Sequence, residues 1–256
     1  MDTATSVRTI RQIGHASIRE LSALSGVAKS MITSIEAGKA NPTAETLTRL
    51  LTPLGYAVTA TPVTQPGAIA AARKASTPDW PGAWPDGADD WTNRFRRLGW
   101  LDPDGLVLPA KKTDLLFRAG LANWTDHRPG RQFFTSPDNA SWIDIVVALG
   151  AAGIEYALTG GCAVNNRMPV GGGLDPILYV PDIDKAAGAL DLVPDPRGHV
   201  TLLPYNGVCE VGAHVAPGGI HVQDVRMVTL EQLIIDCVAL PKAGLDQAEY
   251  LTGRRV

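Results

Sequence analysis

Cysteine is scarce in this chain and scattered. The three present, Cys162, Cys209 and Cys237, form no C-x-x-C pair, so a disulfide frame or a cysteine zinc site has no support and reduced, mostly buried thiols are expected. Long apolar runs are missing as well. The stretch MDTATSVRTIRQIGHAS holds no run of signal-peptide length, and no window reaches the ~18 continuous apolar residues of a spanning helix, so a cytoplasmic protein without a membrane partner is expected. No G-x-S-x-G occurs, which leaves hydrolase chemistry of that kind unsupported. His199, Cys209, His214 and His221 fit no common zinc spacing, and neither a metal nor a cofactor is expected. The glycines of GGGLD, residues 171–175, lack the helix start and Lys of a phosphate loop and read as a turn.

What is present divides unevenly along the chain. A 45% hydrophobic content over 256 residues suits one large or two small globular domains. The net charge of −3 conceals two different halves: residues 1–131 carry 16 Lys and Arg against 12 Asp and Glu, whereas residues 132–256 carry 7 against 14. A polyanion suits the first half and not the second.

The first sixty residues carry the sharpest pattern. Apolar residues fall at Ile18, Leu21 and Leu24, at Val27, Ile32 and Ile35, and at Leu47, Leu50, Leu51 and Leu54, each set spaced for one face of a short helix. Ser17 with Glu20 fits a capping box, Gly26 a tight turn between helices, and Gly38 a helix end at positive φ, while Asn41-Pro42-Thr43 breaks the chain before the next helix. The result is a helix-turn-helix with residues 28–37 as the second, groove-reading helix. Its exposed face mixes Ser and Thr, which pair with several base edges, with a Lys that reads guanine.

These residues, above all GVAKSMITSIEAGKANP, resemble the Xre-type (lambda-repressor-like) helix-turn-helix regulators over residues 6–54. The resemblance implies a five-helix bundle that binds double-stranded operator DNA as a homodimer, with Lys29, Ser30, Thr33 and Ser34 facing bases and phosphates and Lys39 near the backbone. Two positions depart from the family. Ile18 stands where a polar phosphate contact is common, and Ala28 replaces the usual Ser or Thr cap, at a cost of about 1 kcal/mol.

Beyond Tyr56 the text becomes rich in Ala, Pro, Gly and Thr without a sustained period, and residues 59–88 read as a linker, with at least one of Trp80, Trp84 and Trp91 pinning it to a neighbouring domain. Residues 89–131 read as a helical or winged subdomain. Its Arg94, Arg96, Arg97, Lys111, Lys112, Arg118, Arg128 and Arg131 are interleaved with acids and form a solvated face, with added phosphate contacts as the alternative. Residues 132–256 alternate strands and helices as a mixed α/β domain: RQFFTS, IEYALTG, PILYVP, HVTLLPY and GVCEVGAHVA as strands, DNASWIDIVVALGAAG, GCAVNNRM, DIDKAAGALDL, TLEQLIIDCVAL and GLDQAEYLTG as helices.

Within this domain, YALTGG opening into a helix is similar in outline to the nucleotidyltransferases, where two carboxylates at i and i+2 on the next strand hold Mg²⁺ about a dozen residues further on. Asp175 has the position, but Ile177 stands at i+2. The pair Asp182 and Asp184 lies after Pro181 and reads as a helix start, where the two side chains diverge. No catalytic residue is therefore assigned, and Gly160-Gly161 reads as a backbone turn.

The motifs GIEYALTGGCAV, ILYVPDIDKAAGALDLVP, HVTLLPYNG and VTLEQLIIDCVALPKAGLDQAEYL, in that order, resemble the C-terminal region of AbiEi-type antitoxins of type IV toxin-antitoxin systems. That resemblance implies a degenerate nucleotidyltransferase fold, repression of the protein's own operon, and a nucleotidyltransferase toxin as partner. The expected architecture is an all-α helix-turn-helix bundle at 1–58 followed by a mixed α/β domain at 132–256. The expected function is a sequence-specific transcriptional regulator, an autorepressor and antitoxin and not an enzyme. A small-molecule-responsive repressor and an active nucleotidyltransferase fused to a DNA-binding module stay open as alternatives.

Overall fold

The computed structural model describes residues 2–60, 63–123, 128–167, 175–205, 214–216, 225–240 and 243–254. The chain forms two compact units, Met1–Thr61 and Pro62–Val256.

In the first unit, helices α1 (Thr3–Ile13), α2 (Ile18–Ser25), α3 (Lys29–Glu36) and α4 (Ala44–Leu51) precede a 3-10 turn, Thr52–Leu54. Three of the four starts carry a side-chain cap. Asp2 accepts from Thr5 N–H at 2.7 Å, Ser17 and Glu20 make both halves of the capping box, and Thr43 accepts from Thr46 N–H at 3.2 Å. The stops are glycines: Gly26 and Gly38 both sit at φ 68°. Four α-helices and one 3-10 turn stand where five helices were expected. Pro53 stiffens the last turn and Gly55, at φ 81°, ends it before a fifth helix forms.

Val7, Leu21, Val27, Ile32, Ile35 and Leu50 close the core, with Ile18, Leu47 and Leu54 packed on it. Leu24 is the exception, since it is 62% exposed. The buried stripe of α2 runs through Ile18, Leu21 and Ser25, because the Ser25 hydroxyl donates to Leu21 C=O at 2.6 Å and accepts from Val27 N–H at 3.2 Å. A polar side chain whose bonds are made locally can take the inner position.

The second unit begins earlier than its composition suggests. The segment expected as linker contains α5 (Pro66–Ser76), in which Ala68, Ile69, Ala70, Ala71, Ala72, Arg73 and Ala75 are all buried. A helix buried on every side has no amphipathic period, which is why periodicity missed it. Small residues bring its neighbours close: a Cβ on Gly67 would lie 2.7 Å from Ala88 N. Trp80 is 4% exposed and lies in the core of the same unit as its segment, where a pin against a neighbouring domain was expected, whereas Trp84 is exposed.

Helices α6 (Ala88–Arg97) and α7 (Lys112–Leu121) follow, joined through an antiparallel bridge between Leu101 and Val107. They do not form a separate subdomain. Phe95, Leu101, Leu115 and Leu116 belong to one continuous core with Leu158, Leu202 and Ile235 of the α/β part. That part runs β1 (Gln132–Thr135), α8 (Trp142–Ala151), β2 (Ala157–Thr159), α9 (Gly160–Arg167), β3 (Ile177–Val180), α10 (Ile183–Ala189), β4 (Val193–Pro194), β5 (Val200–Pro204), β6 (His214–Ala216), β7 (Val225–Met227), α11 (Leu230–Val238) and α12 (Ala243–Leu251).

The strands form one mixed sheet, ordered β4-β1-β5-β3-β2-β7-β6. β3 pairs parallel to β5 (Leu178 opposite Leu202) and antiparallel to β2 (Leu158 opposite Leu178). β4 and β7 were not expected, since runs of two and three residues carry no readable alternation. No helix among the described residues is long and apolar enough to cross a membrane.

Candidate nucleic-acid interface

The turn before α3 is built from side chains that leave no slack. Ser22 Oγ donates to Val27 C=O at 2.7 Å, and Arg49 of α4 reaches across to donate to Gly26 C=O at 3.0 Å and Ser25 C=O at 3.3 Å. Behind the turn Val27, Ile32 and Ile35 are buried, which fixes the rotation of α3 about its axis. Its N-terminal residue, Ala28, makes no side-chain cap bond, as its chemistry requires.

The far end of α3 is held by charge. Glu36 is buried, and its carboxylate accepts from Arg11 Nε at 2.7 Å and Arg11 Nη2 at 2.9 Å, the two-pronged geometry a guanidinium favours. Arg8 also donates to the Glu36 carbonyl. The hydrogen bonds that Arg11 donates to the Glu36 carboxylate push the Arg11 pKa up. Arg8, Arg11, Glu36 and Arg49 were absent from the expected site. Arg11 and Glu36 hold the helix from behind, Arg8 and Arg49 reach their carbonyls from exposed positions, and a pairing 25 residues apart leaves no signal in spacing.

Held in this way, α3 turns Lys29, Ser30 and Thr33 to solvent, and Lys39 beyond it is exposed too. Ser34 is half-buried. Thr33 Oγ1 donates to Lys29 C=O at 2.9 Å and keeps its lone pairs for an incoming donor. Met31, also exposed, borders the same face and was not singled out by its residue type. The face offers an ammonium, hydroxyls and a short apolar edge on a helix pinned at both ends. Such a set can pair with base edges and phosphates in a major groove.

The second candidate was the Gly160-Gly161 turn. Gly160 sits at φ 66°, and a Cβ there would lie 3.0 Å from Ile177 Cδ1 and 3.4 Å from Leu240 Cδ1. Both glycines are buried. The next strand, β3, is Ile-Leu-Tyr-Val and presents no carboxylate. Asp182 caps α10, accepting from Lys185 N–H at 2.9 Å, with Asp184 in the first helical turn.

In place of a carboxylate pair the region holds one buried acid. Asp236 of α11 accepts from Arg128 Nη2 at 2.7 Å, Thr159 Oγ1 at 2.7 Å, Gln232 Nε2 at 2.9 Å and Tyr179 OH at 3.1 Å. Arg128 thus departs from the solvated face expected of its segment: its side chain is 8% exposed and that of Asp236 3%. Lys112 pairs with Glu231 at 2.7 Å and Lys111 with Asp114 at 3.6 Å, while Arg94, Arg96, Arg97 and Arg118 are exposed.

Among the described residues no group of His, Cys, Asp and Glu could hold a metal ion. Cys209, His221, the His214 side chain and residues 171–174 lie outside them. Burial raises the pKa of Cys162 to about 12, helped by the charge of Asp175, and that of Cys237 by burial beside Asp236. Both thiols are fully buried in the core.

No curated protein and no solved structure matches the chain. A family model described as Helix-turn-helix matches residues 7–59, the stretch from α1 to just past the 3-10 turn, and that match suggests a DNA-binding transcriptional regulator with an Xre-like domain at its N-terminus.

Proposed function

We propose that the protein is a sequence-specific transcriptional regulator that binds operator DNA through Lys29, Ser30, Thr33 and Ser34 of α3, with Lys39 on the phosphate backbone. The observation that carries this is the exposed polar face of a helix fixed from behind by Ile32 and Ile35 and at its end by the Arg11–Glu36 pair. In this reading it binds as a homodimer, with half-sites about one helical turn apart, because one short helix per chain reads too few base pairs alone.

In the finer reading the regulator represses its own operon and opposes a nucleotidyltransferase toxin, as the likeness of the second unit to AbiEi-type antitoxins implies. This reading rests on the sequence of the resembling motifs, which fall on β2, α9, β3, α10, β4, β5, α11 and α12 of the second unit. The second unit transfers no nucleotide, a reading supported by the carboxylate-free β3 and the capping role of Asp182.

Footprinting the purified protein on its own upstream DNA tests the proposal. A protected two-fold site is expected, and equal affinity for operator and unrelated DNA at fixed salt refutes it. Incubation with Mg²⁺ and each labelled nucleotide, with and without tRNA or a protein acceptor, tests the rest: label transfer above background overturns the non-enzymatic assignment.

A further inference from the structure

The carboxylate of Asp236 occupies a position that four other side chains define. Arg128 follows α7 in the chain, Thr159 ends β2, Tyr179 lies in β3, and Gln232 stands one turn earlier on α11. All four donate to its two oxygens at 2.7–3.2 Å. Asp236 and Tyr179 are buried, and Gln232 and Thr159 are 0% and 1% exposed. The space between Arg128, Thr159, Gly160, Ile177, Leu203, Asp236 and Leu240 has no room for a water molecule.

A guanidinium, two hydroxyls and an amide aimed at one point from separate elements are the parts of an oxyanion-binding pocket. Nothing in their placement requires that the anion be covalently attached. We propose that the second unit contains a binding site for a small carboxylate and that the chain fills it with its own Asp236, so that an external anion enters only when this side chain is shortened. The inference deepens the non-enzymatic reading of this unit: the pocket under Gly160 excludes a nucleotide phosphate because an internal anion already neutralises its donors, and not because donors are lacking.

Size decides which anion fits. Replacing Asp236 by Ala removes one carboxylate and keeps a helix-compatible residue on α11, so the vacancy matches formate in volume and charge. A phosphate is larger, and close packing around the pocket leaves it no margin. A nucleotide needs the whole region to open.

The experiment uses the full chain and its Asp236→Ala variant, unfolded by heat in chloride, formate, phosphate or ADP, with tryptophan fluorescence as the readout. Asp236→Ala is expected to melt lower than the parent in chloride and to recover about 5 °C at saturating formate, as a ligand binding only the folded state would give. Phosphate and ADP should do little, and the parent should ignore formate. Adding Arg128→Met to Asp236→Ala should abolish the recovery. Equal formate effects on parent and variant, or recovery that survives Arg128→Met, overturn the proposal. Should Asp236→Ala fail to fold in chloride, folding restored by formate supports the proposal. If it fails in both, Asp236→Ser is measured in the same way, and lack of formate recovery there overturns it. Nucleotide transfer by the parent would refute the non-enzymatic reading alone, since the formate response of the variant is read separately.

Discussion

Glu36 is the residue whose loss should most clearly separate the two units. Its side chain is 7% exposed and that of Arg11 14%, and two hydrogen bonds join them. Glu36→Ala leaves the Arg11 guanidinium without its carboxylate, although the bond from Arg8 to the residue 36 carbonyl can persist. Charge-assisted hydrogen bonds contribute about 1.5–3 kcal/mol, and with some screening at Arg11 a loss of ~2–3 kcal/mol is expected. A unit of this length has a total stability of roughly 3–9 kcal/mol, so the loss is a large fraction of it. The corresponding drop in melting temperature is on the order of 10–20 °C for a domain this small. The assay is built into the sequence, because all six tryptophans lie between residues 80 and 142 and the first unit has none. Far-UV circular dichroism follows both units, whereas tryptophan fluorescence follows the second alone. Glu36→Ala should lower a dichroism transition and leave the fluorescence midpoint in place. A second variant, Arg11→Met with Glu36→Met, should recover most of the loss, since neither charge is then stranded. A cost below ~1 kcal/mol, as exposed pairs show, would refute the claim that this ion pair anchors α3.

Four further outcomes are expected. Lys29→Ala and Thr33→Ala should each weaken operator binding by ~1–3 kcal/mol at fixed salt with unchanged dichroism, measured by fluorescence anisotropy on labelled DNA; unchanged affinity in both would rule out α3 as the reading helix. Ala28→Ser should stabilise the first unit by about 1 kcal/mol through a cap that α3 now lacks, and an unmoved dichroism midpoint in urea would count against the observed helix start. Gly160→Ala should lower the fluorescence midpoint by the equivalent of ~1–2 kcal/mol, because an L-residue at φ 66° is strained and its Cβ meets Ile177, so a neutral effect would remove the reason given for this glycine. Hydrogen bonds with Thr5 and Ser17 hold the pKa values of Asp2 and Glu20 below their ordinary 3.8 and 4.5, so the unfolded chain binds more protons and stability is present above about pH 4.5 and lost as pH falls through the lower folded values. Glu20→Gln should flatten that loss in urea titrations of the first unit, and an identical pH profile would exclude the capping box as its source.

Much of the first unit was legible in the chain because its determinants are local. Ser17 and Glu20 cap a helix three residues apart, Gly26 and Gly38 turn where only glycine turns easily, and Ile32 and Ile35 mark one face by spacing alone. Asp182 was readable as a helix cap for the same reason. Leu24 was misread because its alternative, Ser25, is buried only by virtue of bonds to neighbours that the apolar pattern ignores. The placement of Lys29, Ser30 and Thr33 on the outer face follows from the same periodicity, whereas the half-burial of Ser34 depends on its surroundings in the bundle.

The sequence by itself determined where most helices and strands start and stop, that β3 carries no carboxylate pair, and that Ala28 leaves α3 without a side-chain cap, since each of these depends on residues within one or two turns of one another. Tertiary structure alone decided that α5 is core and not linker, that α6 and α7 share one core with the sheet, that Arg11 anchors Glu36 from α1, and that Arg128 is buried against Asp236. These are choices between partners 25 to 108 residues apart. A buried alanine helix has no polar face to give it a period, and a charge reads as solvated until folding brings its counter-charge within 3 Å, so only the packed chain could distinguish them.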